Sequence, residues 1–263
     1  MSSLSIDGVR GPQQIQPAPW SQRLAGLARA DLRIVSRDGF LGFLLFYPLV
    51  LTLILRYALP LANTRLADRF DLSHYYPLII GYQFVLLVPI MFGVMAGLML
   101  LDEKDEHTLV ALRVTPLSRR AWLAWRLVPP YLLGVTYALL LLWAVGLHPG
   151  SMWPVVPVAL VVAIEAPCFA LFLSAFANNK VEGLAFMKAM GIFLVAPLVD
   201  WFFDAPWTVL LGIFPTYWPV KAYWLSVAGE LAPPFWLHLG IGLVYHLLLL
   251  RWLMGRFNRA VAR

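Results

Sequence analysis

The sequence predicts an all-α membrane protein: six transmembrane helices, preceded by an amphipathic helix and followed, before the last crossing, by short helices that dip into the bilayer. Two observations predict it. Of 263 residues, 61% are hydrophobic and only 13% charged, about half the charge of a soluble domain, and the mean hydropathy is +0.75. Apolar runs also recur six times, each near the ~20 residues that cross a hydrocarbon core. The net charge of +6 does not point to nucleic acid, because the basic residues stand beside the apolar runs, where membrane topology explains them. The single cysteine, Cys168, lies in an apolar run and cannot form an internal disulfide.

Residues 1–18 are rich in Ser, Gly, Pro and Gln. They read as a disordered tail, leaving 19–263 as a single transmembrane domain. In 20–37, Trp20, Leu24, Leu27, Ala28 and Val35 fall broadly on one side, while Arg29, Arg33 and Arg37 recur every fourth residue on another. That pattern suits a helix lying in the headgroup layer; a soluble helix is the alternative. The first 38 residues hold no apolar core long enough for a signal peptide, so the first crossing is expected to serve as an uncleaved insertion signal.

Crossings are expected at 40–60, 76–101, 121–147, 155–176, 184–203 and 235–253. Pro48, Pro89, Pro129, Pro130, Pro157, Pro167 and Pro197 fall inside them and predict kinks rather than failed helices. Sixteen of the 20 Lys and Arg residues fall on the side of the two termini and the 101–120 stretch, against Arg56, Arg65, Arg69 and Lys221 on the other. Both termini are therefore expected in the cytoplasm and the chain in the cell membrane. Residues 204–234 hold Trp207, Phe214, Tyr217, Trp218, Tyr223 and Trp224, broken by Pro206, Pro215 and Pro219. So many large aromatics do not suit a loop in water, and short helices anchored at the outer interface are expected.

The stretch 101–120, LDEKDEHTLVALRVTPLSRR, must sit in water at one membrane face between two crossings. Pro116 pushes Thr115 out of the helical region, so one short helix should end near Val114 and another begin with Thr115 as its cap. Leu109 and Leu112 share one face of the upstream helix, and Glu106 and Arg113 lie on another. Such a helix suits docking onto a partner protein; a plain solvated connection fits the residues equally well.

Glu103-Lys104-Asp105-Glu106-His107-Thr108-Leu109, then Leu112, then Thr115-Pro116-Leu117-Ser118-Arg119 resembles a motif of the type 2 ABC export permeases. His107 stands where that family usually has Gly, and Val110 where an acid is common. The resemblance implies that the segment contacts a separate ABC ATPase subunit, which binds ATP and Mg, and couples hydrolysis to transport. Glu103, Glu106, Thr108, Leu109, Leu112, Thr115, Pro116 and Leu117 would be the coupling residues. It further implies an N-terminal elbow helix, for which ARADLRIVSRDG fits, re-entrant helices before the last crossing, and a second permease subunit, identical or sister, completing the path. NNKVEGLAFMKAMG and FPTYWPVKAYW also resemble the drug-export branch, the fluoroquinolone export permeases.

The chain has no G-x-x-x-x-G-K-[ST] and no H-E-x-x-H, and its five His residues are scattered, so no metal and no cofactor of its own is expected. Glu165 stands in the middle of the fourth apolar run, where a charge costs at least ~2.5 kcal/mol. It should face a cavity on the substrate path or else hydrogen-bond a neighbouring helix. Phe92, Met95 and Met187 would line an adaptable apolar wall on that path, though such residues more often simply pack. The expected function is therefore the permease of an ATP-driven exporter of amphipathic molecules. The alternatives are an ion-coupled secondary transporter, which visible inverted repeats would favour, and an intramembrane enzyme using Glu165, for which no second acid or His is evident.

Overall fold

The computed structural model describes residues 20–106, 119–148, 150–203 and 205–261. Among them there is helix and no strand. Six helices are long and apolar enough to cross a membrane, here the first to sixth spans: Gly39–Leu66, Leu72–Asp105, Ala121–Val145, Val155–Phe176, Lys180–Phe203 and Leu231–Ala260. The tail expected at 1–18 lies outside the described residues. The chain divides into two compact units, Met1–Gly42 and Phe43–Arg263.

The first unit contains the expected amphipathic helix, Trp20–Arg37. Asp38 follows, and its carboxylate accepts hydrogen bonds from the backbone N–H of Phe40 at 2.9 Å and Leu41 at 3.1 Å. Asp38 thus caps the helix that starts at Gly39, satisfying donors that a helix N-terminus leaves open.

In the second unit the second and fourth spans form the core. Their most apolar windows are 83% and 78% buried, against 33% for the third span and 22% for the first, fifth and sixth. Two glycines one turn apart allow the inner pair to approach. A Cβ on Gly93 would stand 2.6 Å from the Ala166 carbonyl oxygen, and one on Gly97 would stand 2.9 Å from Leu173 Cδ1. This is the small-residue seam that lets membrane helices pack backbone to backbone. The outer spans turn Phe46, Leu53, Trp143, Leu247 and Leu248 outward, an apolar surface suited to lipid rather than water.

The expected proline kinks take definite forms. Upstream of Pro89 the second span widens into a π-helical stretch, Gly81–Leu87, as expected where proline lacks an N–H and crowds the carbonyl four residues back. The fourth span breaks into Val155–Val162 and Glu165–Phe176 around Pro167. The carbonyl that Pro167 leaves unpaired, that of Ala163, accepts instead from the Ala166 N–H at 3.1 Å. In the fifth span a 3₁₀ stretch, Met190–Leu194, precedes the helix Val195–Phe203. Pro197 frees the Phe193 carbonyl, and the hydroxyl of buried Thr216 donates to it.

Two short helices, Pro206–Ile213 and Tyr217–Val227, occupy the region before the sixth span. Their aromatics differ from the interface anchors that composition suggested. Tyr217, Tyr223 and Trp224 are buried in protein. Tyr223 lies over Gly81, where a Cβ would meet its ring at 2.7 Å, and Trp218 fills the space beside Gly212. Trp207, Leu210 and Ile213 remain exposed. The aromatic content therefore serves helix packing at least as much as the surface.

Candidate functional site

The Asp105 end of the second span is held by charge. Glu103 pairs with Arg126 of the third span, and both side chains are largely buried, at 14% and 10% exposure. Asp102 accepts from Lys180 Nζ at 2.9 Å, Lys104 Nζ donates to the Ala177 carbonyl at 3.0 Å, and Asp105 accepts from the Lys180 backbone N–H at 3.2 Å. These contacts fasten the second span to the turn joining the fourth and fifth. That turn has its own cap. Asn179 accepts from the Glu182 N–H at 2.9 Å, and the Glu182 carboxylate accepts from the Asn178 N–H at 2.8 Å. The N-x-x-E spacing in NNKVE was the sequence signal for this cap, a variant of the capping box in which the acid bonds the N–H one residue before the cap.

Of the expected coupling residues, Glu103 is thus committed to Arg126, and Glu106 is exposed where the helix ends. Thr108, Leu109, Leu112, Thr115, Pro116 and Leu117 lie outside the described residues. The Glu103–Arg126 pair brackets that segment, joining the two spans on either side of it.

The second site is built at the break in the fourth span. Ending one helix at Val162 and starting another at Glu165 puts that carboxylate at the first position of the second helix. Glu165 is 1% exposed and faces fully buried His246 of the sixth span. Glu165 Oε1 and His246 Nε2 are 3.5 Å apart. Neither carboxylate oxygen, nor His246 Nε2, has a closer hydrogen-bond partner among the described residues. His246 Nδ1 lies 2.7 Å from the Gly242 carbonyl, and since a carbonyl only accepts, Nδ1 carries a hydrogen. Nε2 then interacts with Glu165 through one dissociable proton, held on the acid in a neutral pair or on the imidazole in an ion pair. The pair borders a cavity of about 200 Å³ whose apolar lining includes Phe169, Phe172, Phe193 and Trp252.

The other residues expected on a substrate path do not line this cavity. Phe92 and Met95 are buried in the second span, with Phe92 edge-on to Tyr137 at 4.8 Å between ring centres. Met187 borders a separate apolar cavity of about 170 Å³ with Met91, Val94 and Met190. Sequence reasoning found Glu165 and missed His246. A lone histidine in an apolar run, with no partner at helical spacing, carries no mark of the span it will meet. Nor did it find Asp200, 1% exposed and paired with Lys221 at 2.8 Å. Among the described residues no group of His, Cys, Asp and Glu side chains is arranged to hold a metal.

No solved structure matches this chain. Two relatives do, both from Mycobacterium tuberculosis: the fluoroquinolones export permease protein MT2760 of strain CDC 1551 / Oshkosh and the fluoroquinolones export permease protein Rv2686c of strain ATCC 25618 / H37Rv. Each is 34% identical over 239 residues, covering 89% of this chain and 94% of the relative. The family model described as "Fluoroquinolones export permease protein Rv2686c-like" matches residues 31–254, which takes in all or most of each of the six spans, the charged end and the Glu165–His246 pair. The chain is a multi-pass membrane protein and belongs to the Rv2686c-like family of fluoroquinolone export permeases.

Proposed function

We propose that this chain is the transmembrane subunit of an ATP-driven exporter that moves fluoroquinolone-like, amphipathic drugs out of the cell. One observation carries the substrate side: an apolar cavity between the fourth, fifth and sixth spans, edged by a buried acid–base pair. Apolar walls suit the body of an amphiphile, and Glu165 with His246 offers its charged groups a partner away from water. On the drive side, the chain has no phosphate-cradling loop of its own, so ATP and Mg belong to a separate ABC ATPase. The segment after Asp105 docks that ATPase, on a cytoplasmic face that also holds both termini, in keeping with the bias of basic residues. Trp20–Arg37 lies in the headgroup layer as an elbow, and a second permease subunit, identical or sister, completes the wall of the path. The chain itself does no bond chemistry. ATPase closure shifts it between inward-open and outward-open states through contacts that differ between them.

One observation favours a second reading. A buried Glu–His pair sharing a dissociable proton is also what a proton-coupled transporter needs.

The docking assignment is tested by co-purification. An ABC ATPase from the native cell is expected to purify with the tagged wild-type chain and to be lost with Glu106→Arg, while the variant still inserts and keeps its thermal transition. A Glu106→Arg chain that retains its ATPase and full drug export would remove Glu106 from the docking surface.

A further inference from the structure

At the end of the second span opposite Asp105 lies a third cavity, more polar than the other two, of about 440 Å³. Its walls come from three places: the start of the second span with His74 and Pro77, the end of the fifth with Asp200 and Trp201, and the helix Tyr217–Val227 with Lys221 and Trp224. Asp200 is buried at 1% exposure, and one of its oxygens, Oδ2, accepts from Lys221 Nζ at 2.8 Å. The other, Oδ1, has no hydrogen-bond partner among the described residues, although the Tyr217 side chain stands close to the same carboxylate. Leaving a buried carboxylate oxygen unsatisfied is costly, and a donor arriving from the cavity relieves that cost. Lys221, 24% exposed, reaches the cavity as well.

The rest of the lining is part aliphatic, from Pro77, Leu225, Val227 and Ala228, and part aromatic, from His74, Trp201 and Trp224. The Trp201 and Trp224 rings meet edge to face at 4.9 Å between centres, and His74 lies 5.9 Å from Trp201 at the rim. Trp224 is fixed by donating from Nε1 to the Pro77 carbonyl at 3.3 Å. Indole faces attract both planar rings and cations, and the volume is in the range that holds a drug-sized molecule. We propose that this cavity is a binding site for a planar aromatic zwitterion, with Asp200 receiving its cationic amine and Lys221 its carboxylate. Ligand and protein then form a four-charge set of alternating sign, which cancels the net cost of each buried charge better than either pair alone. The site is distinct from the Glu165 cavity, with which it shares no lining residue. It deepens, and rests on, the reading that the chain exports such molecules.

The test is equilibrium dialysis with the purified chain in phosphatidylglycerol nanodiscs, alongside drug export from cells carrying the same variants. Three probes are used: a fluoroquinolone with free carboxylate and amine, its methyl ester, and its N-acetyl derivative. Asp200→Asn is expected to weaken the parent drug and the ester by about tenfold or more, as for loss of one charge-assisted bond, and to spare the N-acetyl derivative. Lys221→Met should weaken the parent drug and the N-acetyl derivative and spare the ester. If either single variant loses its thermal transition, Asp200→Asn with Lys221→Met, which leaves no lone charge, is measured instead and must lose the parent drug's preference over both derivatives. Folded variants that bind all three probes as wild type does would overturn the site while leaving the export reading intact. A wild-type chain that neither binds nor exports the drug would overturn both. A phosphatidylethanolamine headgroup carries the same pair of charges; if adding that lipid abolishes drug binding, the site belongs to the headgroup and the assignment to drug is wrong.

Discussion

Glu165→Gln is expected to reduce export of cationic and zwitterionic drugs by about ten- to a hundredfold, the span that corresponds to losing one hydrogen bond to a charged group worth ~1.5–3 kcal/mol. Neutral amphiphiles should lose far less. The amide keeps the shape of the acid and can donate to His246 Nε2, which lies 3.5 Å from the carboxylate, so the packing of the fourth span on the sixth is retained. What it removes is the ionisable group at the edge of an apolar cavity. Basal ATPase activity of the proposed complex should persist, because the change is remote from the Asp105 end, next to which the ATPase is proposed to dock. Export assays with a matched set of cationic, zwitterionic and neutral drugs, at equal amounts of inserted protein, give the answer. Equal loss for every drug would make Glu165 a structural group or a proton carrier, and no loss for any would take it off the path.

Arg126→Leu is expected to be among the most destabilising single changes in the chain, by about 3–5 kcal/mol, because it leaves the largely buried carboxylate of Glu103 uncompensated. Glu103→Leu should also destabilise the fold, because it removes one partner of the largely buried Arg126 guanidinium. The double variant Glu103→Leu with Arg126→Leu should recover most of that loss, since two apolar side chains of similar bulk leave no lone charge. A double-mutant cycle on thermal unfolding in detergent measures the coupling directly. The pair joins the spans on either side of residues 107–118, so the single variants should also lower drug export more than their residual folded fraction explains. Additive losses in the cycle would mean that each side chain is held by other partners and that the pair does not brace the segment.

Much of the architecture was readable because a bilayer imposes a simple rule: an apolar run of sufficient length crosses. The third and fourth crossings expected at 121–147 and 155–176 begin and end within two residues of the observed spans Ala121–Val145 and Val155–Phe176. The prolines announced bends, but not how each freed carbonyl would be satisfied. Nothing adjacent to Phe193 indicates that Thr216 will donate to it. The same limit governs the site. Glu165 stood out as a lone acid in an apolar run, whereas its partner His246 is in another span and becomes visible only when the sixth span packs on the fourth. Phe92, Met95 and Met187 were singled out by residue type, which does not encode direction. In the fold they point to a packed core and to a different cavity. The close approach at Gly93 and Gly97 was written in the sequence as two glycines four apart, a spacing legible once the partner helix is known.

ATP-dependent uptake of a fluoroquinolone into inverted membrane vesicles tests whether a separate ATPase drives this chain. The vesicles carry the permease together with the ABC ATPase proposed to drive it. Uptake is expected to require ATP and Mg, to stop when the ATPase cannot hydrolyse ATP, and to continue when the proton and sodium gradients are collapsed by ionophores. Uptake that survives without ATP on an imposed proton gradient, and ends when that gradient is discharged, would contradict the account and assign the Glu165–His246 pair to proton coupling instead.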